Sequence, residues 1–113
     1  MKVVLITSRS LNIYAKKNSQ SRIALKNWMN KVQHANWNTP HSIKESFSNA
    51  DFLGKGTERV VFNIGGNQYR MICRYHFGKF RVFLYVKWIG SHDAYSRICR
   101  SGKQYDVTII HSK

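Results

Sequence analysis

The sequence predicts an α+β fold: an antiparallel β-sheet in the second half, with two N-terminal helices packed on one of its faces. Two observations carry this. Apolar residues recur at helical spacing up to about residue 47, and β-branched and aromatic runs dominate from residue 59 onward. The signals Gly65-Gly66-Asn67 and Gly78-Lys79 then cut the second half into three strand-length pieces. A length of 113 residues, 42% of them apolar, suits a single domain over 1–113 with one core.

Each element has its own signal. The apolar run Val3-Val4-Leu5-Ile6 is too short for a signal peptide or a membrane span and suits a first strand. Thr7 or Ser8 can cap a first helix, with Leu11, Tyr14 and Ala15 on one face. Lys17 to Gln20 is polar and breaks it. Leu25, Trp28, Met29 and Val32 mark a second amphipathic helix over about residues 20–34, its stripe turned to the sheet. Thr39-Pro40 reads as a cap followed by proline at the first helical position, opening a short helix over 40–47. Residues 48–58, with Gly54 and Gly56, read as a loop. Residues 59–64, 68–77 and 80–89 form a three-stranded antiparallel meander. Ser91 caps a short helix to Ile98, and Tyr105 to Ile110 reads as a last strand.

Strand alternation sorts the side chains. A two-residue turn at Gly66-Asn67 sets Asn63 opposite Arg70 and Arg59 opposite Arg74. A two-residue turn at Gly78-Lys79 sets Phe77 opposite Phe80, Arg74 opposite Phe83 and Arg70 opposite Lys87. One face then carries Val60, Phe62, Ile64, Tyr69, Met71, Cys73, Tyr75, Phe80, Val82, Leu84, Val86 and Trp88, and is the core face. The other carries Arg59, Asn63, Arg70, Arg74, His76, Arg81 and Lys87, with Phe83 and Tyr85 among them. Arg70 across from Lys87 is a repulsive pair. A bound phosphate would relieve it, so Arg59, Arg70, Arg74 and Lys87 are expected to bind RNA. Cations interleaved with rings suit a single strand, with phosphates on the charges and bases on the aromatics.

Composition narrows the chemistry. Nineteen Lys and Arg face five Asp and Glu, a formal charge of +14. Such an excess calls for an anionic partner. Five scattered carboxylates argue against a two-metal site or a glycosidase acid pair. Cys73 and Cys99 lack metal-ligand spacing, and the five histidines do not cluster, so no metal and no cofactor are expected. Two isolated cysteines read as reduced thiols in a soluble, cytoplasmic protein.

The candidate chemistry follows the third strand, in Ile89-Gly90-Ser91-His92-Asp93-Ala94-Tyr95. On a helix, His92 and Tyr95 share a face. The histidine can move a proton, and the tyrosine can donate one or a hydrogen bond. RNA cleavage without a metal requires such groups. A base takes the 2′-OH proton, that oxygen attacks the adjacent phosphorus, and an acid protonates the leaving 5′-oxygen. Cations stabilise the charge that builds on phosphorus.

The run from Arg59 to Arg70, containing VFNIGGNQYR, followed by IGSHDAY at 89–95, resembles the HigB family. These are toxins of bacterial type II toxin–antitoxin modules in the RelE superfamily. The similarity spans about residues 8–98. It implies a compact RelE-like fold and an mRNA interferase that cuts message on the translating ribosome. By the same resemblance, Arg70 matches the family's phosphate-binding arginine, and His92 and Tyr95 match its HxxY pair. Lys44 matches a basic position near the site, and Arg59 a cation on the first meander strand. Ser96 stands where the family often has Asp. The resemblance further implies a helix-turn-helix antitoxin as partner, through which the complex would bind DNA. It does not explain the tail from Ser101 to Lys113.

Overall fold

A computed structural model describes residues 1–108. Five strands form one mixed sheet in the order β1-β5-β4-β3-β2. They are β1 (Lys2–Ile6), β2 (Asp51–Phe52), β3 (Arg59–Ile64), β4 (Tyr69–Phe77) and β5 (Arg81–Ser91). The helices are α1 (Ser8–Lys17), α2 (Arg22–Gln33), α3 (Pro40–Ser46) and α4 (His92–Arg100). The expected α+β architecture is present, with α1 and α2 on one sheet face. Two features differ from the expected antiparallel meander. β1 pairs parallel to β5, Val3 beside Val82 and Leu5 beside Leu84. The segment expected as a plain loop, 48–58, contains β2, which pairs Asp51 with Val61 at the far edge.

The core lies between the sheet and the N-terminal helices. Leu11, Leu25, Trp28 and Val32 meet Val60, Phe62, Met71, Cys73, Val82, Leu84, Val86 and Ile89 there. Trp28, Phe47 and Phe62 pack edge-on or tilted, with centroids 5.0 to 6.2 Å apart. α3 enters through Pro40 at its first helical position, and Thr39 N–H donates to Ser42 Oγ at 3.3 Å. Ile43 pins it to the core. Thr7 precedes α1 as expected, but its hydroxyl does not cap the helix. It accepts from Val86 N–H at 3.1 Å and ties the end of β1 to β5. Its φ of +70° is unusual for a β-branched residue.

The register of β3 against β4 is the expected one, with Arg59 opposite Arg74 and Asn63 opposite Arg70. Gly65 and Gly66 both adopt positive φ in the connecting loop. The register of β4 against β5 differs from expectation. Gly78 N–H donates to Arg81 O at 2.9 Å, so the turn residues are Lys79-Phe80 rather than Gly78-Lys79. Arg74 therefore faces Tyr85, and His76 faces Phe83. Phe80, expected in the core, is 75% exposed at the turn. A bulge then follows: Cys73 pairs with Val86 but Ile72 pairs with Trp88, leaving Lys87 as the extra residue. Beyond it the faces swap. Ile89 enters the core, and Trp88, expected inside, turns to the outer face. Arg70 lies opposite Gly90, so the expected clash with Lys87 does not occur.

α4 covers part of that outer face. Val61 and Ile72 are buried on that face, and the Trp88 ring lies 6.2 Å from that of Tyr95 on α4. Ser91 caps the helix as expected, accepting from Ala94 N–H at 3.1 Å. A 3-10 turn, Lys103–Tyr105, follows. Tyr105 and Asp106 are thus in turns rather than the expected last strand, and residues 109 and 110 of that strand lie outside the described residues.

Candidate RNA-cleavage site

Arg70, His92 and Tyr95 gather at one end of the sheet, on the side of α4. Arg70 opens β4 and is half-buried. Its Nη2 donates to Asn67 Oδ1 at 2.6 Å, and its Nη1 to Tyr69 O at 3.2 Å. The β3–β4 loop therefore aims the guanidinium. Opposite stands Gly90, buried and without a side chain to compete for the space. An alanine Cβ there would lie 2.6 Å from Trp88 Cη2 and Cζ2, so the glycine lets the indole fold along its own strand.

His92 is the first residue of α4. Its backbone N–H donates to Gln68 O at 3.0 Å, which joins the helix start to the β3–β4 loop. With Gln20, Asn67, Gln68, Tyr69, Ser91 and Asp93 it lines an open pocket. Its Nδ1 is 3.9 Å from Asp93 Oδ1. That carboxylate is almost fully exposed, so the pair orients the ring weakly. Asn67 is shared: it holds Arg70 and lines the His92 pocket. The loop residue thus links Arg70 to the His92 pocket.

Tyr95 has different neighbours, although it lies one turn from His92. Burial pushes its phenol well above the ordinary tyrosine range, and a hydrogen bond with the Cys99 side chain adds to this. The charges of Cys99 and Asp51 act in the same direction, while Arg70 opposes them. Tyr95 is accordingly a neutral phenol near pH 7, able to donate a hydrogen bond or offer a ring face. It is not a base at that pH.

The remaining expected residues are spread out. Lys44 is exposed on α3, and among the described residues no hydrogen bond or ion pair joins it to the cluster. Arg59 is 6% exposed, and its Nη1 donates to Gln104 O at 3.2 Å beneath the 3-10 turn. Burial lowers its pKa, Asp106 raises it and Arg74 lowers it. Arg59 is thus held inside rather than presented on an open face. Arg74 is half-exposed and pairs with Glu58 at 3.1 Å, so one of the few acids relieves its contact with Arg59. Lys87 leaves the ladder at the bulge, its Nζ 5.7 Å from the Tyr85 ring centre. Among the described residues no three His, Cys, Asp or Glu gather as a metal-binding group. No described helix is long and apolar enough to cross a membrane.

Asn67, Trp88, Gly90, Cys99 and Asp51 were not among the expected site residues. Asn67 carried a signal, an amide three residues before the arginine in a glycine loop. The others depend on the bulge and on where α4 lands.

Fold and cluster together define a small basic α+β protein with Arg70, His92 and Tyr95 at one end of its sheet. The family model HigB_toxin, the RelE-like toxic component of a toxin–antitoxin system, matches residues 21–98, and the chain belongs to that family. An mRNA interferase HigB from Escherichia coli O6:H1 is 28% identical over 86 residues, covering 76% of this chain and 82% of the relative. Membership makes the chain the toxic half of a pair and implies an antitoxin partner.

Proposed function

We propose that this chain is an mRNA interferase, a cytoplasmic endoribonuclease that cuts message on the translating ribosome without a metal. The observation that carries this reading is the Arg70–Asn67 bond beside His92, at the sheet end that Tyr95 overlooks. Arg70 binds the scissile phosphate and stabilises the charge that grows on it. His92 handles one of the two proton transfers. Either it takes the 2′-OH proton or it gives one to the leaving 5′-oxygen. The 2′-oxygen bonds to phosphorus, the bond from phosphorus to the 5′-oxygen breaks, and the products are a 2′,3′-cyclic phosphate and a 5′-hydroxyl. Tyr95, neutral, donates a hydrogen bond or stacks on a base. Lys44, Arg74 and Lys87 guide the RNA backbone outside the pocket. Arg59 acts through the fold instead. The shortage of carboxylates, five in all, supports a mechanism built on His, Tyr and Arg.

The partner on this reading is an antitoxin with a helix-turn-helix, and the complex binds DNA through it. The test is induction of His92→Ala and Arg70→Ala in cells, with the 5′ ends of messages mapped and folding checked by circular dichroism. Both variants should fold, lose toxicity and leave messages whole. If both still arrest growth and generate new 5′-hydroxyl ends, the assignment is wrong. If the wild type arrests growth with no new ends, the chain is a non-catalytic RNA- or ribosome-binding protein.

A further inference from the structure

α4 divides the outer sheet face into two parts, and its far part is open. In the row Val61–Ile72–Trp88, Val61 and Ile72 are buried and Trp88 packs on Tyr95 of the helix. The next rows do not. Arg74 faces Tyr85, which faces Ile6; His76 faces Phe83, which faces Val4. Val4, Ile6, Phe83 and Tyr85 are all partly exposed and stand apart from the core cluster. Among the described residues no helix lies over them.

We propose that this open sheet face is a second site, distinct from the cleavage pocket, that binds single-stranded RNA through stacking on Phe83 and Tyr85. Three observations favour RNA as the occupant. The His76 and Phe83 rings are stacked, with centroids 6.3 Å apart and planes 25° apart, and a base can extend such a stack. Lys2, Arg74, Arg81 and Lys87 rim the aromatics with positive charge. The acid identified at this rim, Glu58, is engaged by Arg74. Such a surface repels a basic partner and attracts a phosphate backbone. The spacing also fits one continuous strand. Six residues of β4 separate Arg70 from His76, roughly 20 Å at strand rise. An RNA cut at one end of the sheet can therefore be held at the other.

This rests on the reading of RNA as the ligand, and the test separates the two. The probe is a labelled 12-nucleotide single-stranded RNA with 2′-O-methyl sugars, which cannot be cut, titrated against the full chain by fluorescence anisotropy. The Phe83→Ala/Tyr85→Ala variant should bind roughly 10- to 100-fold more weakly than the wild type. Phe83→Leu keeps apolar volume and removes the ring, so it should lose a share of that affinity while retaining the wild-type melting temperature. Phe83→Tyr should restore it. Equal binding by the wild type and the folded aromatic variants overturns the second site, whether or not messages are cut in cells. Retained RNA binding with loss of antitoxin capture also overturns it and makes the face a protein interface. Binding lost as expected, in a wild type that yields no new RNA ends, upholds the site and sinks the cleavage reading instead.

Discussion

Gly90→Ala tests how the site is packed. The new Cβ would stand 2.6 Å from Trp88 Cη2 and Cζ2. Carbon atoms prefer about 3.5–4.0 Å, so the indole must retreat by about 1 Å or more. It has little room, because its other neighbour is the Tyr95 ring at 6.2 Å. Overpacking of this kind costs about 1–3 kcal/mol, and the Trp88–Tyr95 contact is worth about 0.5–1.5 kcal/mol if lost. We expect a loss of about 2 kcal/mol, which for a domain of this size lowers the melting temperature by about 8 °C. Cleavage should fall as well, because Tyr95 rests on the displaced ring. The assay is urea unfolding followed by circular dichroism, with message cutting measured on the folded variant. A double-mutant cycle isolates the cause: with Trp88→Ala in place, Gly90→Ala should cost less than about 0.5 kcal/mol. If Gly90→Ala alone unfolds within about 0.5 kcal/mol of the wild type and cuts at the same rate, the packing argument fails.

Further outcomes follow from the same geometry. Asn67→Ala frees Arg70 without touching the core; cleavage should drop about tenfold while stability changes by less than about 0.5 kcal/mol, and unchanged cleavage would remove Asn67 as a positioning residue. Arg59→Ala deletes a buried stem and leaves Gln104 O without its donor, so it should cost about 1–3 kcal/mol in denaturant titration. The folded variant should keep its RNA affinity within about twofold, and a larger loss would return Arg59 to the binding surface. Tyr95 has a raised pKa in the folded state, so the fold holds its proton more tightly than the unfolded chain does. Its contribution to stability is full below about pH 10 and falls as pH rises through that value. Tyr95→Phe should therefore flatten the alkaline loss of stability, and parallel pH curves for variant and wild type would refute the assignment.

Much of this architecture is legible in the residues. The stripes on α1 and α2 are readable because a helix buried against a sheet must be apolar at helical spacing. The β3–β4 register is readable because a turn centred on Gly66-Asn67 sets Asn63 opposite Arg70 and an odd shift would turn Val60, Phe62 and Met71 outward. The next hairpin is not legible in the residues. Gly78 belongs to the ladder rather than to the turn, and no local propensity distinguishes these. The bulge at Lys87 is a tertiary outcome, since nothing in Val86-Lys87-Trp88 marks an extra residue. Two apolar residues, Val61 and Ile72, do hint at it, because they alternate out of phase with the core face and need cover. β1 is recognisable as a strand, but its parallel partner is chosen by the path of the helices. For the site, His92, Tyr95 and Arg70 are legible from their chemistry and from family resemblance. Arg59 is misleading, because a cation on a strand shows its type and not whether a turn 45 residues later will bury it.

The bulge does more than shift a register. Before Lys87 the outward residues of β5 are odd-numbered, and after it they are even-numbered. That change sends Ile89 inward to finish the core. It sends Trp88 outward, where it becomes the seat for Tyr95 and so for α4. It also places a glycine, rather than a side chain, opposite Arg70. A regular strand would put a tryptophan in the core and Ile89 under the helix, and the arginine would face a different neighbour. The same displacement decides where α4 can pack, and hence where the basic outer face is covered and where it is open. The +14 charge is therefore not one undivided surface. One part, at Arg70, is held by Asn67 of the β3–β4 loop, which also lines the pocket of His92 at the start of α4. The other, around Phe83 and Tyr85, is left open. On the proposed reading, the fixed guanidinium of Arg70 near His92 suits one phosphate and its proton transfers, and the open aromatic face suits several bases without chemistry.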